Sequence, residues 1–394
     1  MALEHLSPSN ISARSYTSAW KDESVLALGE LADEFIATEI AAHRERFEEQ
    51  HRVDAQVWRK AGELGLLCCS IPTEYGGGGG TFAHELAVLE ALARAGDSSW
   101  GFGVHSGIVA HYLLAYGTEE QKHRWLPKLA SGEWVAAVAM TEPDAGSDLK
   151  AIRTRAVRDG DDYVINGNKI FISNGQSANL IVTVVKTDPA AGAKGVSLIV
   201  VEADQCPGFV RGRVLDKVGQ PGADTSELFF QDARVPAGNL LGGVEGKGFG
   251  QLMTQLAQER LIVGITAVAS METAVALTTE YVKTRSMFGK SLWDFQNSKF
   301  VLAECATTAH VARVFVDSAI QRHLDGFLDT TTAAMVKWWL SDQHVKLVDR
   351  CLQLFGGYGY MREYPIARMY QDARASMIFA GSNETMKDLV SRAL

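Results

Sequence analysis

The stretch Tyr163-Val-Ile-Asn-Gly-Asn-Lys-Ile-Phe-Ile172 decides how the middle of this 394-residue chain is expected to fold. Two short β-prone runs, 163–165 and 168–172, flank the pair Asn166-Gly167. Asn-Gly readily supplies the two positive φ angles of a type I′ turn, so the stretch predicts a β-hairpin. Further strands are predicted at Leu180 to Val185, Gly195 to Glu202 and Ser226 to Phe230. No helical pattern separates these strands and no GxGxxG motif opens a helix after one. We therefore expect an antiparallel barrel or sandwich rather than a dinucleotide-binding sheet.

The chain on either side of this β region has helical periodicity. From about Ser24 to Leu129, apolar residues recur at three- and four-residue spacing, with one strong break at Pro72 to Gly80. The C-terminal part predicts four long helices with short connections, which is typical of an antiparallel bundle. Their predicted extents are Phe249 to Thr284, Phe295 to Leu324, Thr330 to Leu354 and Ile366 to Val390. The expected fold class is α+β, with an N-terminal all-α domain (1–133), a middle antiparallel β domain (134–242) and a C-terminal four-helix bundle (243–394).

Composition excludes several classes of function. A net charge of -9 argues against a nucleic-acid-binding face, which needs a basic stripe. The five cysteines are scattered, without CxxC spacing or a nearby His pair, so we expect reduced thiols and no metal site. Residues 1–16 lack the basic start and apolar run of a leader, and no window approaches the roughly 20 apolar residues of a membrane span. A cytoplasmic protein without a membrane span is expected.

An acidic residue lies on an apolar helical stripe between Gly250 and Gly264. The helical period puts Glu259 on the same face as Leu252, Leu256 and Val263. Burial of an unpaired carboxylate is costly, so three interpretations stand. Glu259 reaches solvent along a stripe that is less buried than its pattern indicates, pairs with the neighbouring Arg260, or keeps a raised pKa for proton chemistry.

Five motifs follow one another along the chain. The first two are Met140-Thr-Glu-Pro-Asp-Ala-Gly-Ser-Asp148 and Asn166-Gly-Asn-Lys-Ile-Phe-Ile-Ser-Asn174. The predicted bundle contains Arg285-Ser-Met-Phe-Gly289 with Phe295-Gln296, then Gln353-Leu-Phe-Gly-Gly-Tyr-Gly-Tyr360, then Gly381-Ser-Asn-Glu384. In order and spacing, over nearly the whole chain, they resemble the motifs of the acyl-CoA dehydrogenase family, most of all its long-chain branch. The helix-sheet-helix plan is also that family's plan.

The resemblance implies an FAD site built from both parts of the chain. Val138, Met140, Thr141 and Ser147 would bond the flavin ring. Phe171, where many relatives carry Trp, would cover one face of the ring, and Ser173 would reach its N5 side. Arg285 and the Gly356-Gly357 turn would hold the diphosphate. The other implied cofactor-binding residues are Phe288, Phe295, Gln296, Gln353, Ser382 and Glu384. Some would reach the FAD of a neighbouring subunit, so a homotetramer is expected.

Taken without the resemblance, these residues have simpler interpretations. Phe171 and Ser173 fit an ordinary strand pair, Arg285 fits a solvated cation at a helix end, and Gly356-Gly357 fits a helix C-cap.

The resemblance also implies the catalytic base. Most members of the family carry a catalytic Glu where this chain has Ala380. A minority, the long-chain and isovaleryl-CoA enzymes, carry it on the long helix directly before an Arg, and Glu259-Arg260 fits that arrangement. Glu259 would take the α-proton of an acyl-CoA while the β-hydride passes to flavin N5, giving a trans-2-enoyl-CoA. The Ala380 N–H and a ribityl hydroxyl of FAD would polarise the thioester carbonyl.

Substrate and partner follow from the same resemblance. Substrate contacts are expected from Ser147, Gly250, Arg260, Ala380 and Gly381. Gly250 either widens the acyl tunnel or serves as a helix N-cap. The segment around the base, 255–261, and three others, 225–230, 363–365 and 386–389, look most like the long-chain branch. They favour a long- or medium-chain linear acyl-CoA, with an electron-transfer flavoprotein accepting the electrons. The alternatives are an isovaleryl or short branched-chain enzyme, an oxygen-using oxidase or flavin monooxygenase, and a DNA-binding flavoprotein, which the acidic balance disfavours.

Overall fold

The computed structural model describes residues 16–394 and has a β-rich middle between two helical parts, as the sequence predicts. The expectation that the chain starts without a leader falls on residues 1–15, outside the described residues. The helices before the sheet are α1 (Glu23–Phe35), α2 (Arg44–Gln50), α3 (Ala55–Glu63), α4 (Phe82–Arg94), α5 (Ala110–Tyr116) and α6 (Glu119–Ala130). Two π-helical segments, Ile36–Ile40 and Gly103–Val109, precede α2 and α5.

Local capping determines where two of these helices begin. The Asp22 carboxylate accepts a hydrogen bond from the Val25 N–H at 2.9 Å and so starts α1. Thr118 and Gln121 form a reciprocal capping box at the start of α6. The Gln121 amide also donates to the carbonyl oxygens of Gly238 and Leu240, so this cap ties α6 to the middle of the chain.

The middle of the chain forms one seven-stranded sheet. Its strands are β1 (Ala136–Ala139), β2 (Arg155–Asp159), β3 (Asp162–Ser173), β4 (Leu180–Lys186), β5 (Val196–Glu202), β6 (Phe209–Val214) and β7 (Thr225–Pro236). Their order is β1-β4-β2-β3-β7-β6, with β5 also paired to β4. Most pairs are antiparallel, as expected, but β4 runs parallel to β1 and, at one residue pair, to β2.

The predicted hairpin at Asn166-Gly167 was wrong, because β3 runs straight through these residues. The β3–β7 register shifts between Ile165 and Gly167, which marks a bulge. A Cβ at Gly167 would lie 2.4 Å from Thr154 Oγ1, so only glycine fits against the neighbouring strand. Asn166 exchanges hydrogen bonds with Asp232 of β7 at 3.0 and 2.9 Å. Asn166 and Gly167 therefore stabilise the interior of β3 and do not form a turn.

The C-terminal part begins with a very long helix. Its helices are α7 (Gly248–Thr284), α8 (Gln296–Leu324), α9 (Thr330–Gln353), α10 (Pro365–Ala373) and α11 (Asn383–Ser391). A two-stranded β8 (Ser286–Met287) and β9 (Lys290–Ser291) follows α7. The first three predicted helices are confirmed. The predicted fourth helix was wrong, because Ala380 and Gly381 adopt positive φ and split it into α10 and α11.

The core helix α7 is long and apolar enough to cross a membrane. An 18-residue window in it has a mean hydropathy of 1.8, so the expectation that no window approaches a span was wrong for this helix. Within the described residues 83% of that window is buried inside the protein, where α7 packs against α4, α8 and α9. Packing in the core accounts for its apolar sequence.

The buried side chains form three clusters that meet around α7 and the sheet. One joins the N-terminal helices to the bundle, a second joins α5 and α6 to one face of the sheet, and a third covers the other face. Alternate residues of β4 belong to different clusters: Val182 faces the second, and Ile181 faces the third. This explains why β4 is apolar along most of its length. All five cysteines are free and buried, as expected.

Candidate functional site

Glu259 lies on α7 and is buried, with 6% of its surface exposed. Leu252 and Val263 of the same stripe are also buried, which excludes the interpretation of an exposed stripe. No ion pair or hydrogen bond to Arg260 is formed within the described residues, so the simple pair was also wrong. Burial raises the pKa of Glu259 to about 7, and a hydrogen bond from Tyr112 and the charge of Arg260 partly oppose that rise. A carboxyl group that is half ionised near neutral pH suits proton abstraction.

Tyr112 on α5 reaches Glu259 from the other side of the helix interface. Its hydroxyl donates to Glu259 Oε1 at 2.9 Å, and the side chain is fully buried. The preceding turn, Gly103–Val109, is π-helical, and such turns often occur at functional sites. The Gln258 amide donates to the Gly107 carbonyl in this turn at 2.9 Å. Two adjacent residues of α7 thus make both contacts: Gln258 binds the π-helical turn and Glu259 binds Tyr112.

Two buried cations follow from the base: the charge of Arg260 acts on Glu259, and Lys337 in turn lies near Arg260. Arg260 is 4% exposed, and its Nε and Nη1 atoms have no hydrogen-bond partner among residues 16–394. Lys337 on α9 is fully buried, and its burial, together with the charge of Arg260, lowers its pKa to about 8. Lys337 Nζ and Ser341 Oγ both donate to Asn383 Oδ1 at 3.0 Å. Asn383 directly follows Ala380-Gly381-Ser382, so this network anchors the turn that carries the expected carbonyl-polarising N–H.

The first two motifs are joined by hydrogen bonds. Lys169 Nζ donates to the Met140 carbonyl at 3.0 Å and to Glu142 Oε1 at 2.8 Å. The Ile170 N–H donates to the Thr141 carbonyl at 3.0 Å. The main chain of Met140 and Thr141, expected to face the flavin, is therefore held by the second motif.

Asn174 ends the second motif and links it to the N-terminal helical part and to β1. Its amide donates to the carbonyl oxygens of Gly101 and Ala136, and its N–H donates to the Asp224 carbonyl. A Cβ at Gly101 would lie 1.9 Å from Asn174 Oδ1, so the contact requires glycine. The segment leading into the π-helical turn is thus fixed to the end of β3.

Three predicted site residues have backbone conformations that side chains rarely adopt. The φ angles of Phe171, Phe288 and Ala380 are 60°, 53° and 54°. Phe171 is also 64% exposed and Phe288 87% exposed. An exposed aromatic ring held in a strained conformation is costly in a strand, and such strain is often associated with function. Phe171 thus presents its ring to a space outside the chain's own core, as a flavin-covering residue requires.

A second group of predicted cofactor residues lines a cavity at the end of the bundle. The cavity has a volume of about 700 Å³ and is lined by Arg285, Phe295, Gln353, Gly356 and Gly357, among others. A Cβ at either glycine would meet no atom within 4 Å, so the backbone is open to a ligand. The Arg285 guanidinium lies 5.2 Å from the centre of the Tyr358 ring. A cation, amide donors and an open backbone suit a diphosphate, and the residues therefore fit FAD.

The remaining predicted site residues differ in how far they are buried, and two of them lie at the start of α11. Val138, Met140, Thr141, Ser173 and Gly381 are partly buried, whereas Ser147 and Gln296 are exposed. Ser382 caps α11 by accepting from the Thr385 N–H at 3.3 Å, and Glu384 is exposed in its first turn. No hydrogen bond within the described chain joins the middle-domain group to the bundle cavity.

Gly250 lies in the first turn of α7, which begins at Gly248, so its interpretation as an N-cap was wrong. A Cβ at Gly250 would meet no atom within 4 Å.

Sequence reasoning missed several residues of this site. Glu142 and Lys169 lie inside the first and second motifs, and their presence there could have predicted a buried Lys-Glu pair. Tyr112 lies in an apolar run and gives no sequence signal. Lys337 and Asn383 become visible only once α9 packs against α11.

Comparisons with known proteins agree with this architecture. Family models match in three consecutive pieces: "Acyl-CoA dehydrogenase, N-terminal domain" at residues 22–133, the "middle domain" at 137–233 and the "C-terminal domain" at 246–394. The mitochondrial long-chain specific acyl-CoA dehydrogenase of Mus musculus is 43% identical over 360 residues, covering 91% of this chain and 83% of the mouse protein.

Solved structures give the same result. An acyl-CoA dehydrogenase from Geobacillus kaustophilus superposes with a TM-score of 0.93 at 46% identity, covering 96% of this chain and 99% of that one. A chain from the structure of the electron transferring flavoprotein of Acidaminococcus fermentans gives 0.90 at 35% identity, covering 95% and 98%. Other matching proteins are named isovaleryl-CoA dehydrogenase and butyryl-CoA dehydrogenase.

Proposed function

Because the chain belongs to the acyl-CoA dehydrogenase family, we propose that it oxidises a long- or medium-chain acyl-CoA to the trans-2-enoyl-CoA with Glu259 as the base. Members of the family are FAD-dependent oxidoreductases, and FAD is the cofactor of this one. One observation carries the proposed role of Glu259: a buried carboxylate, with its pKa raised to about 7, lies beside the Arg260 cation and accepts a hydrogen bond from a single hydroxyl, that of Tyr112.

The side chains supply acid-base and electrostatic chemistry to this reaction. Glu259 takes the proton from Cα of the thioester. Bound FAD would supply the acceptor for the hydride that leaves Cβ. Arg260 and Lys337 make the region beside the base electropositive, which favours negative charge on the thioester oxygen as the α-proton leaves. The Ala380 N–H, on the turn anchored through Asn383, would donate to that oxygen.

Burial also controls the basicity of Glu259. Desolvation destabilises the carboxylate relative to the neutral acid, so the ionised group gains by taking a proton. At a pKa of about 7, a large fraction is ionised near neutral pH. The same group exposed to water would be a much weaker base.

The proposed chain length rests on relatives and on one open position. The 43% identity to a long-chain enzyme supports a long or medium chain. Gly250 on the first turn of α7 leaves the space beside it open. The second candidate is an isovaleryl or other short branched-chain acyl-CoA, since a matching relative is named isovaleryl-CoA dehydrogenase and the Glu259-Arg260 pair also resembles that branch.

Assembly, partner and location are further parts of the proposal. We propose a homotetramer because apolar side chains are exposed along one face of α8, where Phe300, Val311 and Val314 are 57%, 50% and 41% exposed. Light scattering on the purified protein tests this state. The match to a chain from an electron transferring flavoprotein structure supports such a flavoprotein as the electron acceptor. The cytoplasmic location stays a prediction, to be checked by cell fractionation.

Anaerobic addition of acyl-CoA to the FAD-loaded protein tests the function. Palmitoyl-, octanoyl-, butyryl- and isovaleryl-CoA are mixed separately with the protein, and bleaching of the flavin visible band is followed. Palmitoyl- or octanoyl-CoA should bleach fastest. Fastest bleaching by isovaleryl-CoA would establish the second candidate, and no bleaching by any of the four would refute both. Rapid reoxidation by air after bleaching would instead indicate an oxidase.

A pair of variants on the same helix tests the base. Glu259→Gln should retain FAD and acyl-CoA binding and lose bleaching by at least about 1,000-fold, since the base is removed. Glu280→Gln, at an exposed position on α7, should bleach like the natural protein. Unchanged turnover in Glu259→Gln would refute the base assignment while leaving the family reaction in place.

A further inference from the structure

Glu259 has one hydrogen-bond donor in the described chain, and it comes from another helix. The Tyr112 hydroxyl lies 2.9 Å from Glu259 Oε1, and the two side chains are 0% and 6% exposed. Burial and the nearby carboxylate raise the pKa of Tyr112 well above its usual value, so the phenol stays protonated and donates. No hydrogen bond in the described chain is formed with the second oxygen, Oε2.

The backbone around Tyr112 makes this contact specific. The π-helical turn Gly103–Val109 passes directly into α5. Gln258, the neighbour of Glu259, binds the Gly107 carbonyl, and a Cβ at Gly107 would lie 2.7 Å from Ile262 Cδ1. Glycine at 107 thus allows α5 to approach α7 closely. Gln258 and Glu259 of α7 therefore hold the π-helical turn and Tyr112, respectively, by hydrogen bonds.

We propose that Tyr112 is a positioning residue for the catalytic base, holding Oε1 of Glu259 so that Oε2 is presented to the substrate α-carbon. The inference rests on the proposed function of Glu259. A carboxylate on a flexible side chain has two equivalent oxygens and several rotamers. One buried hydrogen bond selects a single rotamer and a single reacting oxygen. This lowers the entropy that must be lost to reach the reactive geometry.

The same bond sets the range of pH in which the base is ionised. The titratable and charged groups near the carboxylate are Tyr112 from α5, Arg260 on α7 and, beyond Arg260, Lys337 from α9. Hydrogen bonding from Tyr112 stabilises the anion and lowers the pKa of Glu259, against the larger effect of burial. Loss of the hydroxyl therefore raises that pKa and shifts the acid limb of the pH profile toward higher pH.

Tyr112→Phe in the FAD-loaded protein tests the proposal. The midpoint of the acid limb of kcat/KM should rise by about one pH unit, as expected for loss of a hydrogen bond to a charged group. At the high-pH plateau, kcat should fall roughly 10-fold with KM nearly unchanged, because orientation of the base is lost while substrate contacts remain. A merely structural tyrosine would not move the midpoint.

Tyr116→Phe is the matched control on the same helix. The Tyr116 hydroxyl donates to the Gln251 carbonyl at 3.2 Å, which is also on α7 but does not touch the base. This variant removes the same group from a neighbouring turn and should keep the natural midpoint and kcat. An equal shift in both variants would overturn the proposal.

Infrared titration separates this inference from the proposed function, since it needs no turnover. The carbonyl band of protonated Glu259, identified by its absence in Glu259→Gln, should titrate at higher pH in Tyr112→Phe than in the natural protein. If no acyl-CoA bleaches the natural protein, the proposed function fails, yet this band still reports the coupling. An unshifted band together with an unshifted profile would overturn the role of Tyr112.

Incorporation of 3-fluorotyrosine keeps the test decisive if Tyr112→Phe does not fold. The fluorinated phenol is more acidic and donates more strongly, so the Glu259 midpoint should move to lower pH. Unlabelled protein provides the reference, and the Tyr116→Phe protein with the same label should show the same downward shift. Absence of that shift would overturn the proposal.

Discussion

Lys169 donates from Nζ to Glu142 Oε1 at 2.8 Å, and these side chains are 0% and 5% exposed. The pair joins two segments that lie 27 residues apart in sequence. Glu142 also accepts from the backbone N–H groups of Arg153 and Thr154, so the carboxylate is fully used. The buried ion pair therefore holds the main chain of Met140, which is predicted to bind FAD.

Lys169→Met should destabilise the protein and weaken FAD binding together. Removal of one partner leaves Glu142 buried without its counter-charge, which costs about 3–5 kcal/mol. Urea unfolding and the flavin-to-protein ratio measure the two effects. Lys194→Met is the control, since Lys194 is exposed in the same domain and its side chain forms no hydrogen bond in the described chain. A Lys169→Met protein with natural stability and flavin content would disprove this role of the ion pair.

Glu259→Gln should be more stable than the natural apoprotein at alkaline pH and equally stable in acid. The folded-state pKa of about 7 lies above the ordinary 4.5, so the folded protein retains a proton that the unfolded chain releases. The corresponding stabilisation is present below pH 4.5 and is lost as pH rises through 7. The variant should gain up to about 3 kcal/mol at pH 8. Urea unfolding at pH 4.5 and 8 checks this, and a constant difference between the two pH values would contradict it.

Asn383→Ala should loosen the turn before α11. The substitution removes the acceptor of Lys337 and Ser341 and leaves a buried cation without a partner, which costs about 2–4 kcal/mol. Asn383→Asp is the matched variant, since its carboxylate still accepts both bonds and should preserve most of the stability. Thermal unfolding and kcat are measured for both. Equal losses in the two variants would show that the acceptor is not what matters.

Phe171→Gly should have opposite effects on the apoprotein and on FAD binding. Glycine adopts the φ of 60° without strain, so the apoprotein should be unchanged or up to about 1 kcal/mol more stable. Loss of the exposed ring should weaken FAD binding at least about 10-fold. Phe171→Trp keeps an aromatic face and should retain FAD. A Phe171→Gly protein that binds FAD with natural affinity would refute the covering role.

His105 should make the protein sensitive to acid. Its Nδ1 accepts from the Ala136 N–H and its Nε2 donates to the Leu129 carbonyl, which requires the neutral ring. Burial lowers the pKa of His105 to about 4, below its ordinary 6.5, so its stabilisation is present above pH 6.5 and lost as pH falls toward 4.

The acid loss from His105 should reach about 3 kcal/mol. Urea unfolding of the natural protein and of His105→Gln should therefore converge between pH 7 and 4. His111 and His344, whose pKa values burial also lowers to about 4, contribute to the acid slope that remains. Parallel slopes in the two proteins would contradict the prediction.

The predictions from sequence succeeded where one local signal dominates and failed where two segments compete. The period of 3.6 residues located α7, α8 and α9 within one or two residues, because each buries a continuous apolar stripe. The Asn166-Gly167 turn signal is equally strong locally, yet β2 and β7 on either side of β3 hold those residues extended. Cross-strand contacts with Thr154 and Asp232 outweighed the local turn preference.

The candidate site shows the same division. Motif order identified the family and predicted the FAD-binding segments, and helical periodicity together with the resemblance singled out the acidic residue of α7. Tyr112 binds Glu259, Lys337 lies near Arg260 and Asn383 binds Lys337. These three residues lie 147, 78 and 124 residues away from Glu259 along the chain. No local sequence pattern around these three residues indicates a functional role.

The sequence by itself determined which segments are helical or extended, the family and the identity of the buried acid, because periodicity and motifs are properties of consecutive residues. Only the tertiary structure decided what surrounds that acid. The pKa of Glu259 depends on desolvation and on a hydrogen bond from α5, and the turn at Ala380 depends on a lysine of α9. Electrostatic and hydrogen-bond energies depend on distances between atoms, and packing alone fixes those distances for residues far apart in the chain.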